Sequence, residues 1–250
     1  MSTRAWLGER AGGLGASVKM PRGGSKGKGG KGVGSEVGPS RGDVSALVAS
    51  PALSRKRELS AESVGENAWV VRGVLSPREA ATLVAAADAR GYDHATSRGP
   101  RFGEAYRDHG RANFEDPRLA DALWDDTGLR EAIVAAVGPV RGRVAAGLNP
   151  ALRVYRYAPR EHFGAHYDDF ARTPRGVTEL TLLAYLTGDV EGGETCFYRD
   201  AHEGARELFR VAPEVGKVLV FRHGDACLPH ASVAVRRGEK VVLRSDVAFA

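Results

Sequence analysis

From Leu152 onward, apolar positions recur every second residue in short runs rich in β-branched and aromatic side chains, with Gly, Pro and Asp between them. The pattern predicts strands near 152–158, 179–187, 194–198, 207–212, 217–222, 231–236 and 240–249. Several short strands at this spacing suggest a sandwich or barrel. Ahead of Leu152 the period is helical. Ser76-Pro77-Arg78-Glu79 reads as a capping box with proline in the first turn. It opens a helix whose apolar face carries Leu83, Val84 and Ala87 and which stops at Gly91. A second helix is expected from about Pro117 through Leu119, Leu123 and Trp124, and a short third over roughly Leu129 to Val137. Trp69 to Val74 reads as a strand ended by a turn, and Trp69 and Trp124 fall in apolar patterns that assign them to a core. Residues 92–115 are polar, rich in Gly and Arg and aperiodic, so they are expected to be a long irregular loop. The expected architecture is mainly β with α: a helical layer first, then a β-core.

Composition changes this picture only at the N-terminus. Gly12 to Gly42 is dominated by Gly, Lys, Ser and Arg, with too few apolar side chains to offset the entropy of ordering it. Disorder is therefore expected to about residue 60. Of the net charge of +5, residues 1–60 carry eleven Lys/Arg against four Asp/Glu, whereas the remainder carries twenty-five against twenty-seven. The basic excess belongs to this tail, which could attract nucleic acid weakly. Ser54-Arg55-Lys56-Arg57 has the composition of a nuclear-import signal. A continuous apolar segment typical of secretory signals is missing, while the Arg, Gly and Ser content suits an organellar transit peptide and Glu9 counts against one. The longest apolar runs, such as Val218 to Phe221, are too short to cross a bilayer. Cys196 and Cys227 cannot build a disulfide framework. The expected location is intracellular, cytoplasmic or nuclear, with an organelle left open.

The candidate chemistry sits in His162-Phe163-Gly164-Ala165-His166-Tyr167-Asp168-Asp169-Phe170. On an extended backbone alternate side chains share a face, so His166 and Asp168 point together. An imidazole and a carboxylate on one face are two-thirds of the 2-His-1-carboxylate triad of non-haem iron(II) oxygenases. A His-x-Asp alone is a weak signal whose plain alternative is a polar strand face. Support comes from His230, which lies 64 residues after His166 between two apolar strands and so could return to the same barrel mouth. Lys240 follows ten residues after His230, and Arg244 four later on the same face of one strand. Either cation suits a carboxylate, Arg as a bidentate fork and Lys as a point charge.

These segments resemble the prolyl 4-hydroxylase-like branch of the iron(II)/2-oxoglutarate-dependent oxygenases over roughly residues 65–250, most specifically over 147–247. The resemblance is carried by Gly147-Leu148-Asn149, Arg153 to Pro159, His166-Tyr167-Asp168, Leu182 to Leu186 followed by Glu191-Gly192-Gly193-Glu194-Thr195, Gly216 to Phe221, His230, Gly238, Lys240 and Leu243 to Val247. It implies a double-stranded β-helix (jelly roll) core with the N-terminal helices packed on one sheet. It further implies a tail over 1–62, an oxygenase domain over 63–250 and a catalytic core at about 147–250. By matching positions, His166, Asp168 and His230 would be the catalytic iron(II) ligands. Lys240 would bind the 2-oxoglutarate carboxylate with Arg244 as a second candidate, the Tyr185 hydroxyl would join that contact, and Tyr157 would line the pocket. The implied reaction uses O2, with ascorbate as an optional accessory, to hydroxylate an unactivated C–H bond. A peptidyl, prolyl-type side chain is the expected substrate, and a small metabolite is the alternative. The loops of collagen-type enzymes find no match in residues 92–115. A rival of another class is a jelly-roll binding module without turnover, to which the intact triad and Lys240 are opposed.

Other chemistry-bearing residues read more plainly. His162 is expected in a loop, Asp169 on the face opposite Asp168, and His223 in a supporting or structural position after an apolar strand. Cys227 carries no catalytic mark, and Arg107, Arg111 and Asn113 are equally balanced between substrate contact and an ordinary solvated loop.

Overall fold

The structure, a computed structural model, describes residues 53–56, 58–94, 105–201 and 204–250. The expectations for the Gly- and Lys-rich tail, and for 95–104 of the long loop, lie outside these residues. In chain order, β1 (Ala61–Gly65) and β2 (Ala68–Val71) precede helix α1 (Pro77–Arg90). β3 (Asp93–His94) and β4 (Gly110–Glu115) lead to α2 (Pro117–Asp121), a π-helical turn (Ala122–Asp126) and α3 (Leu129–Val137). The β-rich part follows as β5 (Ala145–Leu148), β6 (Ala151–Tyr157), β7 (Phe163–His166), β8 (Arg172–Thr173), β9 (Gly176–Tyr185), β10 (Val190–Gly192), β11 (Thr195–Tyr198) and β12 (Glu207–Val211). It closes with β13 (Val218–Arg222), β14 (His230–Ser232), β15 (Val235–Gly238) and β16 (Lys240–Phe249).

Among the described residues the strands form a large antiparallel sheet ordered β1-β2-β13-β9-β16-β6-β4-β3, with β5 and β8 joined to it. A four-stranded sheet, β12-β11-β14-β7, faces it, and β10 and β15 make a ribbon at one end. The alternation of β9, β13 and β16 separates two apolar layers. Leu180, Leu182, Ala184, Val218, Val220, Val241, Leu243 and Val247 pack with Leu83, Leu123, Trp124, Leu129 and Ile133 of the helical segment. The alternate residues Tyr185, Leu219, Phe221 and Val242 pack with Phe163, Phe197 and Val235 of the opposing sheet. The two-residue repeat thus puts the helices on one face of the large sheet and a second layer of strands on the other, which is the jelly roll expected.

The helix expected from Ser76 begins with a complete capping box, in which Ser76 accepts from the Glu79 N–H and the Glu79 carboxylate accepts from the Ser76 N–H. The second helix ends early and becomes a π turn, where the Thr127 hydroxyl donates to the Leu123 carbonyl at 2.7 Å. The run expected at 231–236 is two strands: β14 pairs with β7 and β11, and β15 pairs with β10. The chain changes sheets between them.

Two expectations are corrected. Order does not wait until about residue 60, because Leu53 and Leu59 join the core and the Ser54 N–H donates to Glu79 at 3.0 Å. Lys56 donates to both Glu79 oxygens at 2.8 Å and its own N–H reaches the Thr127 carbonyl, so the basic cluster is partly docked on the domain. Residues 92–115 are not wholly irregular either. β4 pairs with β6 along its length, but it offers the helix-side core only buried Ala112 and half-buried Phe114, too short an apolar alternation to reveal the strand.

Candidate metal and dicarboxylate site

His166 ends β7 and His230 begins β14, and the two are direct cross-strand partners. Their side chains therefore leave the same face of the small sheet, with ring centroids 4.3 Å apart. Asp168, two residues past His166, brings Oδ1 to 3.9 Å from His166 Nε2 and Oδ2 to 3.5 Å from His230 Nε2. All three side chains are buried, and their ligating atoms lie within 4.8 Å of one another. In each imidazole Nδ1 lies against a backbone carbonyl two residues upstream, Gly164 at 2.8 Å and Leu228 at 3.0 Å. A Nδ1–H donated to each carbonyl turns both Nε2 atoms toward Asp168, the orientation in which Nε2 can serve as a metal ligand once it carries no proton. Phe163 stacks on His166 at 3.8 Å and Phe221 meets the His230 ring edge-on at 4.5 Å, fixing both planes.

The three side chains are electrostatically coupled. Burial opposes ionisation of Asp168, but Arg244 and the two imidazoles override it and hold the carboxyl well below the usual range. Burial keeps His166 neutral, down to about 3. It works against a proton on His230 too, yet Asp168 alongside pushes that imidazole up to about 10. Two imidazoles and a carboxylate converging from one side fit a divalent first-row metal, with the opposite positions open to other ligands.

The same cavity extends to Lys240. It is lined by Tyr155, Tyr157, Thr195, Ser232, Lys240 and Arg244 together with the triad. Lys240 is 1% exposed, donates to Ser232 Oγ at 2.7 Å and lies 5.0 Å from the centroid of the Tyr157 ring. Burial pulls its ammonium down to about 7. A buried cation of this kind calls for an anion, and a carboxylate entering the cavity would supply one. Gly192 and Gly193 shape this end, both at positive φ, and a Cβ on Gly192 would sit 2.4 Å from the Ala234 carbonyl oxygen.

The structure brings His166, Asp168, His230, Lys240, Arg244 and Tyr157 to one cavity. Tyr185 stands one step back, its hydroxyl 2.8 Å from Thr195 Oγ1, so that Thr195 meets the cavity in its place. Arg244 reaches Asp168 Oδ1 at 3.0 Å and does not join Lys240. His162 stacks on Tyr106 away from the triad, and exposed Asp169 accepts from the Phe170 N–H. Arg111 donates to Asn113 Oδ1 at 2.7 Å on β4, beside the pocket strand β6. Sequence reading missed Thr181, which donates to Asp168 Oδ2 at 2.5 Å, and Cys227, whose Sγ takes the Asp168 N–H at 3.3 Å. Neither belongs to a motif: Thr181 reaches Asp168 from β9, and Cys227 from the turn ahead of β14.

Residues 152–245 match the family described as the 2OG-Fe(II) oxygenase superfamily. Within it lies a resemblance to prolyl 4-hydroxylase 1 of Arabidopsis thaliana, 44% identical over 62 residues, 23% of this chain and 22% of the relative. The chain thus matches less than a quarter of that relative's length. The likeness of fold extends further. A viral collagen prolyl hydroxylase from Paramecium Bursaria Chlorella virus-1, solved with 2OG, superposes with a TM-score of 0.52 at 21% identity, over 73% of this chain and 96% of that one. A Pseudomonas putida prolyl-4-hydroxylase gives 0.52 at 18% identity, over 74% and 94%. Among the described residues no helix is long and apolar enough to cross a membrane.

Proposed function

We propose that the protein is an iron(II)- and 2-oxoglutarate-dependent dioxygenase that hydroxylates an unactivated C–H bond, of a prolyl-type side chain in a peptide. The observation that carries this reading is the convergence of His166, Asp168 and His230 on one point inside the cavity that also holds Lys240. The names of the similar proteins favour the prolyl-type substrate, and the same pocket chemistry would serve a small molecule. In the proposed reaction, bound iron and 2-oxoglutarate with O2 supply the oxidation, releasing succinate and CO2 and placing one oxygen atom on the substrate carbon. The chain's own residues prepare that chemistry. His166, Asp168 and His230 offer three ligand atoms from one side, the Gly164 and Leu228 carbonyls fix the tautomers, and Phe163 and Phe221 keep water from the imidazoles. Lys240 anchors the distal carboxylate, aided by Ser232 and Thr195. Arg107, Arg111 and Asn113 lie toward the wall made by β4 and Phe163, where a peptide would approach. The proposed domain for this activity is 63–250, extended by the docked segment from Leu53.

The test is turnover. Purified protein with iron(II), 2-oxoglutarate and proline-containing peptides should yield succinate together with a product heavier by one oxygen atom. Succinate formation that persists undiminished in His166→Ala and His230→Ala would defeat the assignment.

A further inference from the structure

Behind Asp168 lies a ring of side chains that the proposed reaction does not use directly; one of its contacts, His223 to Asp246, is longer than a hydrogen bond. Asp168 Oδ2 accepts from Thr181 Oγ1 at 2.5 Å, and Thr181 Oγ1 lies 2.7 Å from His223 Nε2. His223 Nε2 is 3.7 Å from Asp246 Oδ1, which lies 3.5 Å from Arg244 Nη2, and the same Arg244 nitrogen closes the ring at 3.0 Å from Asp168 Oδ1. Thr181, His223 and Asp246 are all less than 5% exposed. The members come from β9, the residue after β13, and β16, which are neighbours in the large sheet.

Donor and acceptor counting gives the ring one sense. A carboxylate only accepts, so the Thr181 hydroxyl proton points at Asp168, and Thr181 must then accept from a Nε2–H of His223. His223 Nδ1 is left as an acceptor, 3.4 Å from Thr178 Oγ1, whose oxygen in turn accepts the Ala171 N–H at 2.9 Å. Every bond of this chain is consistent with a neutral His223, and burial favours that form. The Asp168 carboxylate is thereby held from both oxygens, while its remaining lone pairs stay free toward His166 and His230.

We propose that Arg244, Thr181 and His223 are positioning residues that lock the Asp168 carboxylate for metal binding, and that Arg244 is not the dicarboxylate anchor. This rests on the metal site proposed above and assigns the two cations of β16 separate tasks. Lys240 serves the co-substrate, and Arg244 serves the metal ligand. The competing use is concrete, because Arg244 Nε is buried without a hydrogen-bond partner and could turn toward a carboxylate in the cavity.

The experiment measures two affinities separately. Cobalt(II) binding is followed by calorimetry and by its visible spectrum. The 2-oxoglutarate KM is then taken at saturating iron. Arg244→Met and Thr181→Val should weaken metal binding by about 10- to 100-fold, the usual effect of removing a group that orients a ligand, and shift the cobalt spectrum, while the 2-oxoglutarate KM moves less than about threefold. Thr181→Ser, which retains the hydroxyl, should bind metal like the wild type. Lys240→Met should do the reverse, leaving cobalt affinity intact and raising the KM. A large rise in KM for Arg244→Met with unchanged cobalt affinity would overturn the proposal, as would Thr181→Val binding metal normally. If Arg244→Met fails to fold, the Thr181 pair and Arg244→Lys give the decision. Loss of the underlying metal-site reading would look different, since the wild type itself would then bind no cobalt.

Discussion

Lys240→Met separates stability from binding. In the free protein the ammonium is 1% exposed, and its pKa falls from 10.5 to about 7. A depression of that size makes retaining this lysine unfavourable by roughly 4 kcal/mol at neutral pH. Methionine has a similar volume and needs no hydration. Its introduction loses the hydrogen bond to Ser232, worth about 1 kcal/mol. The net expectation is stabilisation of the free protein by up to ~3 kcal/mol, a rise in Tm of several degrees for a domain of this size. The binding effect has the opposite sign. A 2-oxoglutarate carboxylate buried without its cation costs about 2–5 kcal/mol, so its affinity should fall at least ~30-fold. Thermal unfolding by circular dichroism reads the first quantity and calorimetric titration of 2-oxoglutarate into the metal-loaded protein reads the second. A variant that binds 2-oxoglutarate normally, or that melts earlier than the wild type, refutes the reasoning.

Three further outcomes follow from the same structure. Because burial depresses Lys240 to about 7 and a carboxylate would restore its proton, 2-oxoglutarate binding should take up close to one proton at about pH 8 and almost none near pH 6, measurable as a buffer-dependent enthalpy; equal uptake at both values contradicts it. Burial would raise the Glu79 carboxyl, but Lys56 and the bonds from Ser76 and Ser54 hold it down to about 2. Its contribution is therefore complete above the unfolded value of 4.5 and lost as pH falls toward 2, so Glu79→Gln should lower Tm at pH 7 by an amount that vanishes near pH 2. Gly192→Ala, which forces a Cβ to within 2.4 Å of the Ala234 carbonyl oxygen at positive φ, should cost more than about 1 kcal/mol in urea unfolding; a variant as stable as the wild type contradicts it.

The sequence was most legible where one physical requirement dominated. The period-two runs of β9, β13 and β16 have one face toward the helices and one toward the opposing sheet, so alternation alone located them. Ser76 and Glu79 announced α1 through a local cap that needs no tertiary information. Strand β4 was hidden because one face carries Arg111 and Asn113 and the other offers the core only Ala112 and half-buried Phe114. The docking of Leu53 and Lys56 was hidden because their partners, Glu79 and the Thr127 carbonyl, lie far along the chain. At the site, His166, Asp168 and His230 stood out by residue type and spacing. Thr181 did not, since a threonine within an apolar strand is ordinary until β9 is seen beside β16, where Thr181 lies opposite Asp246. Arg244 and Lys240 could not be told apart from their spacing on β16, and their different partners separate them only in three dimensions.

The proposed activity requires two cross-strand imidazoles and one carboxylate to hold one divalent metal ion. Anaerobic titration with iron(II) or cobalt(II) tests that grip directly. One ion should bind per chain, and separate His166→Ala, Asp168→Ala and His230→Ala variants, each still folded by circular dichroism, should each lose it. Undiminished stoichiometric binding in any of the three would contradict the account.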